Sequence, residues 1–578
     1  MKISPTIFLI ISSGLEHILV LCFNIQIDTD DFKSHVLSNE MFIDKTLFIR
    51  YFIEMSKNYP FVKVIVRPEG WTKSCNLNMI EKFFEIEVDD KGDPLPKERT
   101  INHKLFLGGN ITSSNKSIEL KPLEISEFSN YTRDHLGKYP VILLKLKNAT
   151  GNNYNEIKNN IKSCIRQAYQ RHEYLINSSR ITKREKLQNY FTGNISSNDL
   201  IGSLPFLCEK LHQHFNQKVH ILIDDYDIPI ISAYLSLGDK SRGEFDKVHE
   251  LLWNIYDDAF KGNIYRATGL LVGVLVIDLN TYPDNFYSFM TSESSPELRD
   301  YFGFTDIEVD PLLGVIGMPM NEDQREMRTW YYGYNGPLRV YYNMRSMMLS
   351  ASNNGTLKGY HGADDVRTAL IERAILSDIN NTLQLLIHDQ NYGRLIMKDF
   401  YHRDDFTFND TKPICWYPLD VDRILQQSGY LTSNYHLPPA LVIPNKDMKN
   451  VFQMKTLQWV AGRFDIDTSE FHSLFSLLDR NHMHELKDRF LNFVFNAANF
   501  FLTVRKIAKQ LYESSMGKLK YVLSSCPDNE VVEEIKTLAI RVQKVSEKVL
   551  EFSDKFKFDN IKYTPKLQKS FFTASIPL

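Results

Sequence analysis

Apolar positions in the first half of the chain gather into short unbroken runs at Val62–Val66, Val141–Leu146, Val219–Ile223 and Leu270–Ile277, with helically spaced stretches such as Asn153–Tyr169 between them. A strand buried on both faces reads as a continuous aliphatic run, whereas a half-exposed strand alternates. From Asp31 to about Leu279 the pattern therefore predicts βα units and a mostly parallel sheet covered on both sides. A polar insert rich in Pro, Asn and Ser, between Asp89 and Asn130, predicts loop with a short hairpin. Pro283–Tyr360, with WYYGY at Trp330–Tyr334 and VYYNMRS at Val340–Ser346, predicts a small mixed module whose rings form a core. Beyond about residue 365 the spacing is helical: Val532, Ile535, Leu538, Val542, Val545, Val549 and Phe552 make an amphipathic stripe, and Leu486–Leu511 a more buried one.

The candidate chemistry lies where two of the predicted strands end. Val62–Val66 runs into RPEGWTKS at Arg67–Ser74, the outline of a phosphate-binding loop. Such a loop turns backbone N–H groups towards a phosphate, sends a lysine to the β/γ oxygens and places a Ser or Thr hydroxyl on Mg²⁺ at a helix start. Lys73 and Ser74 have those types and positions. Both glycines of the usual pattern are missing; Gly70 is the glycine that remains, and Thr72, directly before Lys73, narrows the loop. The second half of the site is KVHILIDDYDIPI at Lys218–Ile230, an aliphatic run closing in Asp224-Asp225. The carboxyl end of a parallel strand is where α/β sheets place ligand-binding groups, so Asp224 is the candidate for the Mg²⁺ shell and Asp225 for orienting the attacking water. The bland alternative is a strand ending in a solvated acidic turn that includes Asp227.

These segments carry a family resemblance. FIDKTLFIRYFIE at Phe42–Glu54, the degenerate loop and NLNMIEKFFEI resemble the opening of the AAA-ATPase-like family found beside PD-(D/E)XK nuclease domains. HLGKYPVILLKLK, ILIDDYDIPI, RATG at Arg266–Gly269, YFGFTDIEV, WYYGY, SGYLT at Ser428–Thr432 and ALVIPNKDMKNVF at Ala440–Phe452 follow in the family's order, over roughly residues 25–460. The resemblance implies ATP and Mg²⁺ as cofactors, with Lys73 and Ser74 as the P-loop pair, Arg67 as a loop arginine, and Asp224 and Asp225 as the acidic pair. It places a γ-phosphate-sensing residue at or near Thr268. Three departures bear on hydrolysis: Thr72 stands where the family has glycine, Glu69-Gly70 where it has two arginines, and Asp225 where it has glutamate. An acid in a phosphate cradle repels rather than attracts, worth on the order of 1 kcal/mol at a partly exposed site. Relatives often carry a nuclease module, but the late Glu534-Ile535-Lys536 sits in an amphipathic helix without a strand-borne Asp before it.

The expected fold class is thus α/β, a P-loop NTPase-like mostly parallel sheet flanked by helices, followed by the small mixed module and a helical C-terminal region. By residue, 25–282 is the P-loop domain, 283–364 the aromatic-rich module and 365–578 the helical region. Residues 1–24, with Lys2 before IFLII and ILVLCF, have the look of a cleavable signal peptide, although Glu16 and His17 interrupt the apolar core.

Composition narrows the partners. The 68 basic and 71 acidic residues leave a formal charge of −3, so no nucleic-acid signature is present, and no apolar run is long and unbroken enough for a transmembrane span. The cysteines are widely spaced without a C-x-x-C, which leaves room for long-range disulfides but not for a zinc or redox motif. The pairs His212/His214 and His482/His484 stand at i,i+2, a spacing that sends helical side chains to different faces. Acceptor sequons at Asn110, Asn115, Asn130, Asn148, Asn177, Asn194, Asn354, Asn380 and Asn409 accord with passage through the secretory pathway. Two function classes follow: an ATP-binding protein with weak or absent hydrolysis, or a secreted interaction protein that keeps an inactivated ATPase fold as a scaffold for an unknown protein partner.

Overall fold

The aliphatic runs form strands, and the strands share one sheet. The computed structural model describes residues 30–38, 42–58, 62–113, 116–237, 241–277, 286–289, 296–315, 322–336, 339–353, 355–359, 367–370, 421–433 and 441–451. In chain order the strands are β1 (Val62–Val66), β2 (Gly109–Ser113), β3 (Lys116–Leu120), β4 (Val141–Lys145), β5 (Val219–Asp224), β6 (Arg266–Gly273), β7 (Phe286–Phe289), β8 (Tyr332–Asn335), β9 (Val340–Tyr342), β10 (Thr432–Ser433) and β11 (Leu441–Val442). The main sheet has the order β4-β5-β6-β1-β7, and every neighbouring pair is parallel. The loop-bearing strand β1 and the acid-bearing strand β5 are therefore not neighbours; β6 lies between them.

Alternate residues of each strand enter separate cores. Val62, Val64, Val66, Ile221, Ile223 and Leu271 pack with the helices Tyr154–Gln170, Ser203–Phe215 and Arg242–Phe260. On the other face Ile65, Val141, Leu143, Leu222, Leu270 and Val272 pack against α1 (Phe32–Ser38), α2 (Leu47–Asn58) and α3 (Lys73–Phe84). Both faces are thus buried, which is why the strands lack polar alternation. The polar insert holds the antiparallel hairpin β2–β3.

The dense aromatics of the following segment are core. Phe304, Trp330, Tyr331, Tyr342, Met344 and Met347 form a buried cluster beside the β8–β9 ladder. The sheet, however, crosses the expected boundary at 282/283, because β7 pairs with β1. The Asp44-Lys45-Thr46 element joins distant parts of the chain. Asp44 accepts from the Thr46 and Glu124 amides at 2.8 and 2.7 Å, and Lys45 is bonded to the Asp300 carbonyl at 2.6 Å and to Glu308.

Cys75, Cys164 and Cys208 are free thiols. His214 is buried between Ser178 Oγ and the Gly92 carbonyl, both at 2.7 Å, while half-buried His212 faces the Gln217 carbonyl at 3.0 Å, so the two serve separate local bonds. No helix among the described residues is long and apolar enough to cross a membrane. The expected leader over residues 1–24, the stripes at 486–511 and 532–552, His482/His484 and Glu534–Lys536 lie outside the described residues, as does most of the helical region from 365 onward.

Candidate functional site

The parallel registers bring the carboxyl ends of four strands level: Lys145 pairs with Asp224, Asp224 with Val272, and Val66 with Gly273. Arg67 N–H extends the β1–β6 ladder by donating to the Gly273 carbonyl at 3.1 Å. The chain then turns through Arg67–Thr72 into α3, which starts at Lys73. Thr72 adopts the left-handed conformation at φ 51°. A residue with a Cβ in this conformation costs about 1–2 kcal/mol. Gly70 is also left-handed at φ +75°, and a Cβ there would meet Arg345 Cβ at 2.7 Å. Residues 343–345 pack directly on the loop: the Arg345 amide donates to the Gly70 carbonyl at 3.1 Å and the Asn343 side chain to the Glu69 carbonyl at 3.3 Å.

One hydrogen bond joins the two halves of the site. Ser74 Oγ donates to Asp224 Oδ1 at 3.0 Å across a sequence separation of 150 residues. Asp224 is 2% exposed, and burial, reinforced by the adjacent Asp225 charge, pushes its carboxyl up to about 7. On the same α3 turn, buried Lys73 folds back so that Nζ donates to the Pro68 carbonyl at 2.7 Å. Burial, and next the Arg367 guanidinium, lower the Lys73 ammonium, against the opposing pull of Glu69, Asp225 and Asp227.

The acids following β5 share one cation. Arg367, about 140 residues away in sequence, donates from Nη2 to Asp225 Oδ1 and Asp227 Oδ1, each at 2.6 Å, and from Nη1 to Glu69 Oε1 at 3.1 Å. Asp227 is fully buried, and its Oδ2 also accepts the Val274 and Leu275 amides at 3.0 Å. It is therefore a strut between the ends of β5 and β6 rather than part of a solvated turn. Asp225 occupies left-handed backbone at φ 56°, the kind of strained position that tertiary contacts must hold. Glu69, expected to repel phosphate, is paired with Arg367, a cation it shares with Asp225 and Asp227. Arg367 carries no local sequence signature; Asp227 was visible as a third acid in D-D-x-D, but its burial was not.

Two expected site residues fall elsewhere. Thr268 pairs in register with His220, four residues before the Asp224 level, and its Oγ1 is bonded to His220 Nδ1 at 2.8 Å. Strand register thus carries it towards the opposite end of the sheet, and the positions of β6 level with the acids are Val272 and Gly273. Arg67 is buried over the Phe302 ring at 5.4 Å, with one bond to the Val66 carbonyl at 3.2 Å. Burial, and next the Arg299 guanidinium, lower the Arg67 guanidinium to about 9.

A P-loop-like turn at the end of a parallel strand, with its helix-start hydroxyl bonded to a strand-end acid two strands away, defines the P-loop NTPase-like class of α/β domains. Residues 26–280 match the model of the AAA-ATPase-like family, described as a predicted AAA-ATPase. No curated protein matches the chain.

Proposed function

We propose that the domain binds ATP as its Mg²⁺ complex and hydrolyses it weakly or not at all. The Ser74–Asp224 hydrogen bond carries this reading, because it unites a hydroxyl and a carboxylate of the types that share Mg²⁺ in P-loop sites, beside Lys73. Among the described residues no three His, Cys, Asp or Glu side chains form a metal cage, so a magnesium ion would need phosphate oxygens and water to complete its shell. The charge balance argues the same way. Lys73 and Arg367 stand against Glu69, Asp224, Asp225 and Asp227, so a nucleotide without Mg²⁺ would meet net repulsion. Bound Mg²⁺ supplies the countercharge for the phosphates. Lys73 would leave the Pro68 carbonyl for a phosphate oxygen, and Ser74 and Asp224 would hold the ion.

Weak turnover follows from Asp225. A residue that orients water must offer a well-placed carboxylate oxygen to it, and Arg367 holds Asp225 Oδ1, which leaves Oδ2 on the shorter aspartate arm for that task. Melting of the intact chain with and without Mg-ATP tests the proposal. Ligand at a hundredfold excess over its dissociation constant stabilises by about 2.7 kcal/mol, and Lys73→Ala should remove that gain. An unchanged melting curve in saturating Mg-ATP would refute nucleotide binding.

The second reading, a secreted interaction protein on an ATPase scaffold, is favoured by the occupation of Lys73 and Asp225 by the protein's own groups. The sequon asparagines Asn110, Asn130, Asn148, Asn177 and Asn194 are all exposed and so are open to a glycosyltransferase. Expressed through a eukaryotic secretory route, the protein should shift to lower apparent mass after N-glycosidase treatment. No shift would remove the glycoprotein part of this reading.

A further inference from the structure

Arg367 reaches the carboxyl end of the sheet from beyond the aromatic-cored module and bonds to both walls of the site. On the β5 side its Nε donates to Asp227 Oδ2 at 3.3 Å, and its Nη2 donates to Asp227 Oδ1 and Asp225 Oδ1, each at 2.6 Å. On the loop side Nη1 donates to Glu69 Oε1 at 3.1 Å. These contacts are not equivalent. Asp227 is fully buried, takes both an Nε and an Nη2 bond, and is itself fixed by the Val274 and Leu275 amides. Leu370, one helical turn further on, packs with Ile231, Val274 and Leu275, so the backbone carrying Arg367 is anchored beside Asp227. Asp225 and half-buried Glu69 receive one bond each, and they lie on opposite walls. Asp225 is in left-handed backbone at φ 56°, and Gly70, next to Glu69, is at φ +75°, so both minor contacts are made from turns that tertiary contacts must hold. The guanidinium also lies close enough to Lys73 to depress its ammonium, so two cations crowd the place where phosphate would enter.

We propose that Arg367 is an autoinhibitory lock on Asp225: anchored on Asp227, it holds Asp225 and Glu69 in the resting protein, and turnover is limited by how often it lets them go. The inference rests on the nucleotide-binding reading above and adds its regulation. In the locked arrangement the bond to Oδ1 fixes the orientation of the Asp225 carboxylate, and the bond to Glu69 ties the loop to the acids across the site. In the released arrangement the guanidinium keeps its two-pronged pairing with Asp227, so no buried charge is stranded, and the Asp225 carboxylate is free to turn to water. The two arrangements share their anchor and differ only in the minor contacts, which is the form of a two-state element. A planar fork is what allows one side chain to span three acids; a lysine ammonium, a point charge on a flexible stem, keeps the charge beside Asp227 without bridging all three.

The test is steady-state hydrolysis of Mg-ATP by the intact chain, with melting in the presence and absence of Mg-ATP, for the wild type and Arg367→Lys. Arg367→Lys should raise kcat by about tenfold or more, since a freed general base is worth about 10²–10⁴-fold, with a smaller change in KM. Asp225→Asn in the Arg367→Lys background should cancel the gain, which separates release of Asp225 from general loosening of the site. Should Arg367→Lys fail to fold, Glu69→Gln removes the partner of Nη1 without changing a buried acid, and should raise kcat several-fold. A melting shift with Mg-ATP but an unchanged or lower kcat in the folded variants would overturn the lock and leave nucleotide binding standing. A gain that survives Asp225→Asn would also overturn the lock. No melting shift in any of these proteins would overturn nucleotide binding and the lock together.

Discussion

Replacing Arg367 by alanine should destabilise the intact protein by about 3–5 kcal/mol, the usual effect of removing one partner from a buried ionic cluster. The guanidinium is 5% exposed and bonds Asp225, Asp227 and Glu69 at 2.6, 2.6 and 3.1 Å. Without it, fully buried Asp227 retains only backbone donors, and the carboxylates on the two sides of the site face one another uncompensated. Denaturant unfolding should show a lower midpoint with little change in slope. The cost is one of stranded charge, so Arg367→Met combined with Asp227→Asn should be milder than the sum of the single changes. A loss below about 1 kcal/mol for Arg367→Ala, the range of exposed pairs, would mean that the cluster is not buried in solution.

Asp224→Asn should have the opposite sign in the absence of Mg²⁺. Burial first, and Asp225 second, raise the Asp224 carboxyl from 3.8 to about 7. A group raised on folding contributes most below its unfolded value and loses that contribution as pH climbs through the folded one. Asp224 should therefore erode stability between about pH 4 and pH 7, by up to about 4 kcal/mol at 1.36 kcal/mol per pKa unit. Asparagine keeps an acceptor for Ser74 Oγ and removes the charge, so the variant should be more stable than the wild type at pH 8 and close to it at pH 4. It should also lose the Mg-ATP response, because the countercharge that favours Mg²⁺ is gone. If the variant is destabilised equally at both pH values, burial does not disfavour the Asp224 charge in solution.

How much of this was legible differs from element to element. The strands β1, β4, β5 and β6 announced themselves as aliphatic runs because both faces of the sheet are covered, and the β2–β3 hairpin lay where polar, turn-forming residues interrupt the pattern. Lys73, Ser74 and Asp224 could be picked out because they sit at the first turn of a helix or at the last residue of a strand, where local sequence marks the position. Thr268 was misplaced because its strand was readable but its register was not. A few residues along a strand separate the ligand-binding end of a sheet from the other end.

By itself, then, the sequence determined the class of fold and the two segments that meet at its working end, since burial on both faces and the strand-to-helix turn leave local marks. Only the tertiary structure decided the chemistry around them: that Arg367 pairs with Glu69 and the acids after β5, that Asp227 is a buried strut, and that Arg67 lies buried over the Phe302 ring. Charge pairing and burial are set by groups distant in the chain, and no local pattern of residues encodes which of them will arrive.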